Sequence, residues 1–132
     1  MKHTCLLPLA TVLTLLSSSF GMTSAAGAED ARSASVQLPH CKRFLARSQD
    51  QPVQGRSDLV AEGTCVGKII ALDDTAGTGL LPQHMRFCYP SGVNIGQMVQ
   101  VVVRYLETHP ARLHENFTLV AWVAMRDAWP CP

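Results

Sequence analysis

Residues 88–131 read CYPSGVNIGQMVQVVVRYLETHPARLHENFTLVAWVAMRDAWPC, and the fold is decided here. Asn94 is placed to cap a helix, Gln97 can reach back to the cap's own N–H, and Val93 and Met98 stand at hydrophobic-staple spacing. Ile95, Met98, Val99, Val102, Val103 and Leu106 then keep a helical apolar stripe. Thr108-His109-Pro110 ends it, because proline cannot continue a helix but suits the first turn of another. A second helix is expected almost at once, with Leu113, Phe117, Val120, Ala121, Ala124, Met125 and Ala128 recurring at three and four, until Pro130 biases Trp129 away from helix. So short a connection forces the two helices antiparallel, which brings Cys88 near Cys131 and predicts a disulfide between them.

Outward from this hairpin, the N-terminus reads as an export signal. Lys2 and His3 precede the apolar run Leu6 to Leu16, and small residues at Ser24-Ala25-Ala26 and Ala26-Gly27-Ala28 follow. The run is about half the roughly 20 residues a membrane span needs, so residues 1–28 are read as a removed signal peptide rather than an anchor. No membrane span is expected in what remains. Removing Cys5 with the signal leaves Cys41, Cys65, Cys88 and Cys131, an even set that suggests two disulfides among three pairings. Zinc is the rival, but no cysteine pair has knuckle spacing and an oxidising compartment disfavours free thiolates, so no metal is expected.

Eleven Lys and Arg against ten Asp and Glu leave a formal charge of +1, with no basic run interleaved with aromatics. Nucleic acid is therefore not an expected partner.

Residues 29–38 are small and polar and read as a flexible lead-in; a domain is expected over 39–132. Pro39 suits the first turn of a short helix carrying Cys41, Phe44 and Leu45 on one face. Ser57-Asp58 then opens a helix to about Leu72, in which Leu59, Gly63, Gly67 and Ala71 share a face. Each glycine costs about 0.8–1 kcal/mol of helix propensity, so this face is expected to pack tightly in the core. Cys65 lies on this helix, and an antiparallel hairpin with the first helix puts it within reach of Cys41. Together these elements predict an all-α, disulfide-stapled bundle of about four helices.

Asp73 to His84 lacks periodicity and reads as a long loop where a contact surface could sit. It lacks the alternating ligands and closing glutamate of a calcium site. Catalysis requires a nucleophile, a base and a group that stabilises charge, and no such constellation appears. His109 and His114, five apart, would lie about 140 degrees apart on a helix, too far for one metal. Asn116-Phe117-Thr118 falls inside the expected second helix and is not read as a glycosylation site. No catalytic residue, cofactor or enzyme activity is expected.

One combination has a family resemblance. Cys41 with Phe44-Leu45, Gly63-Thr64-Cys65-Val66-Gly67-Lys68, Phe87-Cys88-Tyr89-Pro90, Gly96-Gln97, His109-Pro110 and a closing Trp129-Pro130-Cys131 occur in an order that resembles the Rap/Tai family of type VI secretion immunity proteins. The resemblance implies a helical, disulfide-bonded periplasmic protein that binds and inhibits a peptidoglycan amidase effector, often as a homodimer. The alternative is a periplasmic structural or envelope-stress protein of the same fold with no toxin partner. The matched residues are scaffold, so contact residues do not carry over. The candidates are Asp73, Asp74, His84 and Arg86 in the long loop, with His109 and Arg112 around the tight turn. Tyr89, Tyr105, Trp122 and Trp129 are potential anchors, although aromatics on apolar stripes usually belong to the core.

Overall fold

The computed structural model describes residues 31–49 and 55–132. The expected signal peptide and the first two residues of the lead-in lie outside these described residues. Within them are four α-helices: α1 (Ala34–Arg47), α2 (Arg56–Gly77), α3 (Ile95–Thr108) and α4 (Phe117–Ala128). Each helix touches the other three, with α1 closest to α2 and α3 closest to α4. This is a small all-α bundle closed by two disulfides.

The hairpin α3–α4 forms as its sequence dictates. Asn94 Oδ1 accepts from the Gln97 N–H at 3.1 Å, and Gln97 Oε1 accepts from the Asn94 N–H at 2.9 Å. Two orphan donors at the start of α3 are thereby satisfied reciprocally. Val99, Val102 and Leu106 bury completely against Phe117, Val120 and Met125 of α4. The second helix, however, starts later than its apolar pattern suggests. Pro110–Arg112 form one turn of 3-10 helix, and Asn116 caps α4 by accepting from the Thr118 N–H at 2.9 Å. His109 and His114 consequently do not share a helix; His109 ends α3 and His114 lies in the turn.

That turn explains why α1 begins inside the expected lead-in. The Ala34 and Ser35 N–H groups donate to the carbonyls of Glu115 and Leu113 at 2.9 and 2.8 Å, and the Phe117 N–H returns a bond to the Arg32 carbonyl at 2.8 Å. Free donors at the first turn of α1 are satisfied by a neighbouring loop rather than by a side-chain cap. Pro39 therefore sits inside α1 rather than at its first turn, removing the helical donor to the Ser35 carbonyl.

Helix α2 runs to Gly77, past the expected end at Leu72. Cys65, Ile69 and Leu72 face the core, and buried Glu62 is neutralised by Arg47 of α1 at 2.5 Å. Gly63, Gly67 and Ala71 instead face outward, and a Cβ added at Gly63 or Gly67 would meet nothing within 4 Å. The expectation of a tightly packed glycine face is therefore corrected. Burial of Glu62, Cys65, Ile69 and Leu72 sets the rotation of α2, so the small-residue stripe lies on the opposite side.

The disulfides are Cys41–Cys65 between α1 and α2, and Cys88–Cys131 across the open end of the hairpin, with Cα separations of 5.4 and 4.9 Å. Spanning 24 and 43 residues, each is worth about 3–4 kcal/mol by the restriction it places on the unfolded chain.

Candidate functional site

The segment from Thr78 to Asn94 joins α2 to α3, and its first half, largely exposed and braced by its own hydrogen bonds, forms an arm. Gly79 takes φ of 71°, a left-handed conformation that glycine adopts without strain, and the chain turns there. Leu80 follows at the tip with 87% of its surface exposed. Pro82 then leads into a short 3-10 turn, Gln83–Met85. Arg86 folds back across the loop. Its Nε donates to the Leu81 carbonyl and its Nη2 to the Gly79 carbonyl, each at 2.7 Å.

The root of the arm is anchored more heavily than its tip. Phe87 is buried and meets Trp122 of α4 edge to face at 5.8 Å. Trp122 Nε1 also donates to the Met85 carbonyl at 2.9 Å. Phe87 pairs with Pro130 as an isolated antiparallel bridge, and the Cys88 N–H donates to the Trp129 carbonyl at 2.8 Å. The Cys88–Cys131 bond locks this pairing covalently. On the α2 side, Tyr89 donates its hydroxyl to Asp73 Oδ1 at 2.5 Å, and this bond holds the phenol above its ordinary pKa. Beside the arm lies an open groove of about 610 Å³ lined by Gln83, His84, Arg86, Arg126, Asp127, Pro130 and Cys131.

The candidate residues separate on this geometry. His84 and Arg86 are exposed on the arm. Asp73 and Asp74 are not in a loop, because they lie on the last turns of α2, and Asp73 is engaged by Tyr89. His109 and Arg112 lie apart from the arm, around the α3–α4 turn. The His109 ring stacks on Tyr105 at 4.1 Å, with Nδ1 2.8 Å from the Tyr105 carbonyl. Arg112 grips Glu115 through two bonds of 2.8 Å and donates to the Tyr105 hydroxyl at 2.7 Å. These bonds hold the guanidinium more firmly protonated and lower the Glu115 carboxyl below the usual glutamate range. Arg112 is thus committed to shaping the turn. The four aromatic candidates are half-buried and pack against the core.

Leu80 and Met85 are exposed apolar residues on the arm that the sequence reading did not single out. The available signal was Leu80-Leu81 between Gly79 and Pro82, two adjacent leucines in a segment of loop composition. Among the described residues, no group of three or more His, Cys, Asp or Glu is arranged to hold a metal ion. No described helix is long and apolar enough to cross a membrane.

The family model for Rap1a immunity proteins matches residues 33–131, which span all four helices and both disulfides. The chain belongs to the Rap1a immunity protein family. Neither a curated protein nor a solved structure matches it. In this Rap1a family member the matched region contains the arm and its anchors.

Proposed function

We propose that this Rap1a family protein is exported to the periplasm, where it binds a peptidoglycan amidase delivered by type VI secretion and blocks it with the arm between α2 and α3. The observation that carries this reading is Leu80, a large apolar side chain left in water at the tip of a loop that Arg86 and the anchors at Phe87–Cys88 hold in one shape. A pre-organised loop loses little freedom when it enters a cleft, so more of the contact energy appears as affinity. Inhibition by occlusion needs shape and surface complementarity rather than a catalytic group. Two disulfides suit an oxidising compartment such as the periplasm.

The test is calorimetric titration of the disulfide-intact mature chain against a panel of type VI amidase effectors, paired with a peptidoglycan cleavage assay. A nanomolar complex that stops cleavage is expected. No binding across the panel, with a growth defect under envelope stress, would replace this reading with a structural role. Light scattering of the same samples tests the homodimer that the family resemblance implies.

A further inference from the structure

The two disulfides occupy opposite environments. Cys41 and Cys65 are 0% exposed, enclosed between α1 and α2 in the core. Cys88 is exposed and Cys131 half-buried, at the root of the arm. Cys131 also lines the groove beside the arm, together with His84, Arg86 and Arg126. Thiol–disulfide exchange requires an anionic thiolate to reach a sulfur, so its rate follows access and the charge of the surroundings. Arg86 at this groove attracts the incoming thiolate, whereas Arg126 is paired with Asp127 at 3.6 Å, and water around Cys88 solvates the thiolate that leaves. Cys41–Cys65 offers neither path unless the core opens.

We propose that Cys88–Cys131 is a thiol-exchangeable clasp on the arm, opened by a dithiol reductant while Cys41–Cys65 keeps the bundle folded. One thiolate of the dithiol attacks Cys131 Sγ, forming a mixed disulfide and expelling Cys88 Sγ as a thiolate. The reductant's second thiolate then attacks its own sulfur in that mixed disulfide and releases Cys131 Sγ. Two electrons pass to the protein, both cysteine thiolates take protons from water, and the reductant departs as a disulfide.

Opening the clasp acts on the arm because few other ties hold its root to the segment after α4. The Cys88 N–H bond to the Trp129 carbonyl, the Phe87–Pro130 bridge, the edge contact of Tyr89 with Trp129 at 5.9 Å and a 3.5 Å contact from Gln83 Nε2 to the Pro132 carbonyl remain. Short backbone pairings near solvent open locally far more often than a packed helical core. The reduced arm therefore loosens from the segment after α4 at Cys88, while buried Phe87 and the Trp122 bond to the Met85 carbonyl keep its base on α4 and α1 to α4 stay helical. Loss of amidase binding on reduction rests on the proposed function; the exchange chemistry and the opening do not.

The experiment is timed reduction of the native, disulfide-intact mature chain with dithiothreitol. New thiols are trapped with N-ethylmaleimide and mapped by peptide mass, and helicity and amide exchange are followed in parallel. Cys88 and Cys131 should label about tenfold or more faster than Cys41 and Cys65. Helicity should persist, and the Cys88 amide should lose about tenfold or more of its protection. The double variant Cys88→Ser/Cys131→Ser should show the same unprotected arm without reductant and a folded bundle. Simultaneous labelling of both pairs, unchanged protection at Cys88, or a globally unfolded double variant would each overturn the proposal. Titration with amidase separates the two readings. An oxidised chain that binds no amidase removes the proposed contact and leaves a mapped clasp standing, whereas equal binding by oxidised and reduced chains overturns control of the arm by the clasp.

Discussion

Leu80 is the residue at which fold and function diverge. Its side chain contributes almost nothing to the core, being 87% exposed, so replacing it with aspartate should change unfolding free energy by no more than about 0.5 kcal/mol. If it fills a pocket of the partner, the same change should weaken binding by about 2 kcal/mol or more, roughly 30-fold in Kd. Chemical denaturation and calorimetry on the Leu80→Asp protein measure both quantities. A large loss of stability would place Leu80 in the fold, and unchanged affinity would remove it from the contact. Arg86 illustrates why single residues were only partly legible. Its place in the loop suggested a contact, but its guanidinium spends two donors on the Gly79 and Leu81 carbonyls, a geometry that no spacing rule encodes. Leu80 was missed for a related reason: an apolar residue in a loop reads as buried or incidental until the backbone shows which way it points.

At the scale of elements, local chemistry predicted α3 well and α2 poorly. The Asn94–Gln97 capping box has fixed sequence spacing and formed as read. Asn94→Ala should cost about 1 kcal/mol, measured by urea denaturation, because the Gln97 N–H loses the side-chain oxygen that accepts it, while the backbone donor to Gln97 Oε1 remains. Helix α2 carries weak local signals. Apolar residues occur on both of its sides, with Leu59, Val60 and Ile70 exposed and Ile69 and Leu72 buried. Only the packing of Cys65, Ile69 and Leu72 against the other helices decides which face turns inward, and that is tertiary information. Asp73 and Asp74 were placed in a loop because the stretch from Asp73 to His84 lacks periodicity, yet α2 continues through them to Gly77. The outward glycines give a prediction opposite to the packed face first expected. Gly67→Ala should stabilise the chain by about 0.8–1 kcal/mol, since the new methyl meets nothing and helix propensity improves. Destabilisation accompanied by a smaller particle in light scattering would instead place this face against a second copy.

For the molecule as a whole, the hairpin 88–131 and the two cysteine pairs were enough to specify an all-α bundle, because each disulfide joins consecutive antiparallel helices or their ends. The docking of α1 on the α3–α4 turn was not legible, since it runs through backbone atoms of Ala34, Ser35, Leu113 and Glu115 that carry no side-chain signature. The same region sets how the whole fold responds to pH. Burial first, and then the charges of Arg43 and Lys68, lower the pKa of His40 on α1. As pH falls below about 6.5, the unfolded chain takes up this proton before the folded one, so stability declines. Glu115 is lowered chiefly by its hydrogen bonds from Arg112. Its contribution is complete above the ordinary glutamate pKa of about 4.3 and is lost as pH falls through the lower folded value. The melting temperature should therefore drop in two stages on the acid side. His40→Gln should flatten the upper stage and Glu115→Gln the lower one, each leaving the other in place. Melting curves between pH 3 and pH 8 at constant ionic strength, in steps of about half a unit, resolve these stages because the two ordinary pKa values differ by about two units. A flat profile from pH 7 to pH 5 in the unmodified chain would show that His40 charges as readily in the fold as in the unfolded chain. A lower stage that survives Glu115→Gln would move the acid-sensitive link away from the Arg112–Glu115 pair.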